Sequence, residues 1–305
     1  MTMSEKLNTL YQKLLSDKTK RKSEKIILII AIVSFLIHLT LIYLVHINLI
    51  ELGKSSDLLK NPISAIYTPF SFILVYEVYL LIHYLPTSIT TYICKQYEII
   101  TLIIIRRLFK DLSSLSISTD WFNIKNDLQF TYDLIASLLL FFLIYLFYKH
   151  GKKRYRTDEP NTEKMDEIKR FIKIKKILAT SLVIVIIFLA LYSFQYWVTG
   201  LIKPNENATI YFKNINNIFF EQFFTILIIA DVILLLFSFF HTDEFHKVIR
   251  NSGFIISTIL IRLSFSASGL LNTVLIVAAI IFGLLILLIH NKFEAFIASE
   301  KKNTH

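Results

Sequence analysis

Glu77, Asp231, Glu98 and His83 are the side chains in this sequence best suited to hold a proton or a small cation in an apolar setting. Glu77 lies in VYEVYLL (75–81) and Asp231 in IADVILL (229–235), each a single carboxylate among aliphatic and aromatic residues. A charge at the centre of a bilayer costs at least about 2.5–3.5 kcal/mol. Each acid therefore needs a partner, a water-filled cavity or a neutral form. If Glu77 and Glu98 face each other at one depth, they should share a proton, because two adjacent carboxylates do not both ionise. That chemistry is a proton or cation site. A second set, Arg106, Arg107, Asp133 and Arg262, is suited to structural ion pairing. The expected pair is Arg106 or Arg107 with Asp133. The long arginine stems also allow snorkelling to the headgroups.

These residues mean something only if the elements carrying them are embedded in a membrane. The composition says that they are. Of 305 residues, 54% are hydrophobic and 18% charged, against about 25% charged in a soluble domain. The mean hydropathy is +0.57. Six segments of roughly 20 mostly apolar residues qualify as spans, at 26–50, 63–85, 128–148, 172–198, 215–240 and 270–290. Two weaker ones, 87–112 and 245–267, carry arginine. The expected fold class is an all-α integral membrane protein of about eight transmembrane helices.

Charge supports that count. Residues 1–25 hold seven Lys and Arg, and 149–176 hold eleven. Cytoplasmic segments carry the excess of Lys and Arg. The two segments fall on one side only if the weak stretch YEIITLIIIRRLFKDL (97–112) belongs to a span. The reading places both termini in the cytoplasm and the protein in the plasma (inner) membrane. The formal charge of +10 then serves anionic inner-leaflet lipids and not nucleic acid. The expected division is a basic amphipathic segment 1–25, a four-helix half 26–148, a basic linker 149–171, a second half 172–292 and a tail 293–305. Leu7, Leu10, Tyr11, Leu14 and Leu15 give the first segment an apolar face, and Pro160 suits a helix start.

The halves resemble each other. IITLIIIRRLF (99–109) lies over IISTILIRLSF (255–265), matching Arg106 with Arg262, and Glu77 falls over Asp231 in the preceding spans. A 4+4 repeat of this kind has both halves in one orientation, the parallel case of transporter architecture. Along the helix rise, Glu77, Asp231 and Glu98 fall inward of their span centres, with His83 about 9 Å further inward. Arg106, Arg262 and Asp133 fall about 9 Å outward.

The run VYEVYLLIHYLPTSITTYICKQYEIITLIII (75–105) is similar to the second and third segments of voltage-sensor domains, where an acid on one helix is followed by an aromatic and an acid on the next. The resemblance implies four-helix sensor halves. It departs at the fourth spans, 128–148 and 270–290, which lack a basic residue at every third position. Without such charges the membrane field has little to move.

Other chemistry is thin. There is no GxSxG, HExxH, Walker loop or CxxC, so an enzyme is not expected, nor a cofactor. The single cysteine, Cys94, excludes an intramolecular disulfide. His241 and His246 lie five apart and share no helical face, so no metal is expected there. The functional expectation is a transporter or channel for a proton or small cation. The alternative is a non-transporting sensor, scaffold or complex subunit, and oligomerisation is compatible with either.

Overall fold

The computed structural model describes residues 3–49, 62–112, 125–151, 162–202, 208–240, 244–267 and 269–303. Every element among them is helical: α1 Met3–Leu15, α2 Asp17–His46, a 3₁₀ turn Pro62–Ile66, α3 Tyr67–Tyr84, α4 Ile89–Leu112, α5 Lys125–Gly151, α6 Thr162–Ile202, α7 Ala208–Phe239, α8 Phe245–Ser264 and α9 Leu270–Asn303.

Four runs are long and apolar enough to cross a membrane: Glu5–His46, Leu128–Gly151, Gln222–Phe239 and Leu270–Glu300. They carry the first, fourth, sixth and eighth of the expected spans. The other four expected spans form α3, α4, α6 and α8. The described part of α3 is a shorter apolar helix, and α4 and α8 each carry several charged residues.

Local chemistry sets several boundaries. Ser16 separates α1 from α2 and caps α2 by accepting from the Thr19 amide at 3.2 Å. Asp17 in the next position suits the positive helix end. The basic run Lys18–Lys25 thus begins the same helix that carries the apolar run 26–46. Pro69 falls in the first turn of α3, where no intrahelical amide is needed. Ser88 accepts from the Thr91 amide at 3.2 Å and starts α4. Gly269, at φ +69°, turns the chain into α9. Pro160 lies outside the described residues. Helix α6 crosses position 171 without a break, and α9 continues to Asn303.

The chain forms two compact units. The first comprises Met1–His83, Arg106–Trp121 and Ile177–Leu227. In it the α1–α2 junction rests on α3. Leu15 is buried, the Tyr79 hydroxyl donates to the Leu14 carbonyl at 3.0 Å, and the Tyr76 hydroxyl donates to Glu24 at 3.2 Å. Helix α2 is apolar all round through its centre, and Ile29, Ile32, Leu36 and Ile37 are exposed. A helix of that kind belongs against lipid.

The second unit comprises Tyr84–Ile105, Phe122–Lys176 and Ile228–His305. Its core is a seam between α5 and α9. Ala136, Leu140, Leu143 and Phe147 are buried on α5, and Ile276, Ile280 and Leu287 on α9. The first set follows the i, i+4, i+7, i+11 spacing of one helical face, and the second its i, i+4 and i+11 positions. Leu138, Phe141, Phe142 and Tyr145 on the opposite face of α5 are exposed. Helix α8 joins α9 through Gly253, where an added Cβ would lie 2.8 Å from the Ile286 side chain. Tyr97 on α4 enters the same core. Its hydroxyl sits almost where a Cβ of Gly283 would be and meets Ser257 Oγ at 2.6 Å. Ser257 in turn donates to the Ala279 carbonyl at 2.6 Å.

Candidate functional site: buried charged networks

The most deeply buried charges lie in the second unit. Asp231 on α7 is 0% exposed, and Arg262 near the end of α8 is 5% exposed. Arg262 Nη2 lies 2.7 Å from Asp231 Oδ2. Helix α4 supplies the rest of the shell from two positions one turn apart. The Tyr92 hydroxyl donates to Asp231 Oδ1 at 2.8 Å, and Gln96 Nε2 donates to Asp231 Oδ2 at 3.4 Å. Gln96 Oε1 accepts from Arg262 Nη2 at 3.1 Å, so one amide serves both ions. Arg262 Nη1 is buried and has no hydrogen-bond partner among the described residues.

Such a cluster is costly to assemble in apolar surroundings and is held only when its geometry is good. Both carboxylate oxygens of Asp231 are satisfied by short, directed donors, as a buried ion requires.

A comparable pair occurs in the first unit. Glu77 on α3 is 4% exposed, and its Oε2 lies 3.6 Å from Arg106 Nη1. Arg106 also donates to the Phe70 carbonyl at 3.5 Å. Phe70 stacks on Phe109, with ring centroids 4.9 Å apart, which closes the apolar side of the pair. In each pair the acid and the arginine stand at the positions that correspond in the two aligned stretches of sequence.

The expected pairing of Arg106 or Arg107 with Asp133 falls across the two units, and each residue is described within its own. Arg106 pairs with Glu77. Asp133, fully buried on α5, accepts from Gln129 Nε2 at 3.0 Å and from Thr273 Oγ1 at 2.9 Å, both on its Oδ1. These two neutral donors come from its own helix and from α9. Arg107 lies next on α4 and is half-buried. Glu98 has a different environment from Glu77. Its Oε2 meets Lys95 Nζ at 2.6 Å one turn back, its side chain is 35% exposed, and Cys94 Sγ lies 3.9 Å from its other oxygen. His83 reaches the exposed Asp17 with Nε2 at 3.5 Å, and its ring lies against Tyr79.

The sequence reading missed Tyr92, Gln96 and Thr273. The i, i+4 spacing of Tyr92 and Gln96, with Gln96 a lone amide in the weak span, was the available signal. It also missed Lys175, counted among the basic connecting residues. Lys175 is 4% exposed, donates to the Thr87 carbonyl at 2.8 Å and lies 4.8 Å from the Phe171 ring centre.

No protein-family model matches the chain, and neither the curated proteins nor the solved structures compared with it include a match.

Proposed function

We propose that this protein is a multi-pass membrane transporter or channel for a proton or small cation, built from eight spans in two similar four-helix halves. The observation that carries the reading is the Asp231–Arg262–Gln96–Tyr92 cluster. Ionisable groups inside apolar helices are expensive, and their default role is a pathway, a relay or a switch. The matching Glu77–Arg106 pair supports the duplication, since an acid and an arginine meet at corresponding positions of both halves.

On this reading the carboxylates are held closed by arginine. Transport requires each pair to part, with a proton or cation replacing the guanidinium on the acid. Asp231 has the stronger shell and Glu77 the looser one, its ion-pair distance being longer by 0.9 Å.

A second reading follows from how completely Asp231 is satisfied. A closed network of this kind also suits a non-transporting sensor, scaffold or subunit, in which the ion pairs fix helix register.

Proteoliposome flux separates the two. The transport reading expects protein-dependent proton or monovalent-cation flux that falls strongly in Glu77→Gln and Asp231→Asn. Flux unchanged in both variants removes these acids from the mechanism. Absence of flux for every ion tested, from protein shown to be folded, favours the second reading.

A further inference from the structure

A separate cluster of metal-type ligands lies where the start of α8 meets the C-terminal part of α9. One ligand atom from each of His246, His290 and Glu294 lies within 4.8 Å of the other two. His290 and Glu294 stand one turn apart on α9, and His246 is the second residue of α8. Glu244, the N-cap of α8, makes no side-chain cap hydrogen bond, and its carboxylate reaches His246.

Three of the separations fall in the range of a coordination shell. His246 Nε2 lies 2.9 Å from Glu294 Oε1 and 3.4 Å from Glu244 Oε2, and His290 Nε2 lies 3.8 Å from Glu294 Oε1. Four donors each about 2.1 Å from a tetrahedral ion sit about 3.4 Å apart. The two imidazoles stack, with centroids 5.2 Å apart and planes 19° apart. The His246, His290 and Glu294 side chains are 9%, 7% and 15% exposed.

At His290 the protonation state also fits, and at His246 a metal would replace the proton shared with Glu294. Arg250 Nη1 lies 3.0 Å from His290 Nε2. Arginine can only donate, so His290 Nε2 presents a lone pair, the form that binds a metal. Arg250 keeps two further bonds to Asn251 Oδ1, at 3.1 and 3.0 Å, and can release His290 without losing its place. Lys247 holds Glu244 at 2.7 Å, but Glu244 is 48% exposed and water can replace that contact.

We infer that His246, His290, Glu294 and Glu244 form a site for a divalent cation of the zinc type, which clamps the start of α8 to α9. Two imidazoles and two carboxylates favour zinc over magnesium, which takes oxygen ligands. Four protein ligands leave no open position, so the role is structural and not hydrolytic. The expectation from His241 and His246 alone was no metal. His241 lies outside the described residues, and two of the three partners of His246 come from α9, 44 residues or more along the chain.

The test uses untagged, full-length protein in detergent, stripped with chelator and titrated with Zn2+. The expected result is about one Zn2+ per chain, a raised Tm, and the visible bands of tetrahedral Co2+ on substitution. Glu294→Gln and His290→Asn should each weaken binding by at least about 100-fold, beyond the loss of a supporting group. Lys247→Met should tighten it, by freeing Glu244; a variant that merely misfolds cannot produce that gain. His46→Asn should leave it unchanged. Wild-type protein that is folded yet retains no Zn2+ overturns the site. So does binding that survives both α9 substitutions.

Discussion

Asp231 and Arg262 share one shell, in which Gln96 bonds both ions, so the cluster should respond to substitution as a unit. Asp231→Leu leaves a guanidinium buried without its counter-ion, and breaking a buried pair in this way costs about 3–5 kcal/mol. Arg262→Met leaves the opposite charge stranded and should cost a similar amount. In the double variant Asp231→Leu/Arg262→Met both charges go, and the remaining penalty is the amide and the phenol left without partners, about 1–3 kcal/mol for each. The double variant should therefore be more stable than the sum of the single losses requires. Thermal unfolding of the four proteins in one detergent measures the coupling. Purely additive losses would mean that the pair contributes no mutual stabilisation. The individual acids were legible in the sequence, because a lone carboxylate in an aliphatic run stands out. Their partners were less so. Depth counted along a helix did not name Glu77 as a partner of Arg106, because rotation about the helix axis decides which side chains meet, and depth carries no information on rotation. The aligned stretches of sequence held a better clue, since they set Glu77 over Asp231 and Arg106 over Arg262, and Glu77 pairs with Arg106 as Asp231 does with Arg262.

At the scale of elements, helix identity was readable and helix packing was not. The apolar runs that became α2, α5, α7 and α9 are long enough to be recognised by composition alone. The stretch 97–112 looked marginal because polar and charged groups flank its apolar centre. In the structure its first half is core: Tyr97, Ile99, Ile100 and Ile104 are all buried, and Tyr97 threads its hydroxyl into the notch at Gly283. A glycine inside an apolar helix gives no sign in the sequence of what approaches it. Here the approach is close enough to predict a consequence. Gly283→Ala puts a methyl group onto the Tyr97 hydroxyl and should destabilise the protein by about 1–3 kcal/mol, the usual cost of overpacking. Tyr97→Phe in the same background removes the oxygen that clashes. The double variant Gly283→Ala/Tyr97→Phe should thus recover part of the loss, read as a higher Tm than Gly283→Ala alone. Recovery is incomplete because Ser257 loses a partner, although it keeps its bond to the Ala279 carbonyl. If Tyr97→Phe adds to the damage, the contact at Gly283 is not what limits the packing.

For the whole molecule the open physical question is how α4 and α8 lie relative to a bilayer, since four runs qualify as spans on length and composition and these two do not. Charge bears on it from outside the helices. Residues 1–25 and 149–176 are the most basic segments, and they share a side of the membrane only if an even number of spans separates them. With α2, α3, α4 and α5 all crossing, the number is four; if α4 lies outside the bilayer it is three. The arginine burden of α4 does not forbid crossing, because Arg106 is neutralised by Glu77 and an ion pair lowers the cost of carrying either charge into lipid. The prediction is that Ser4→Cys and Thr157→Cys, each introduced singly into a Cys94→Ser background, react with a membrane-impermeant maleimide from the same face of sealed vesicles. Cys94 must be replaced first because it is the only thiol in the chain, though at 5% exposure it should itself label poorly. In right-side-out vesicles both introduced cysteines should stay protected until the membrane is permeabilised; in inside-out vesicles both should label at once. Opposite behaviour of the two positions would take α4 out of the membrane, and with it the correspondence of the halves on which the transport reading rests.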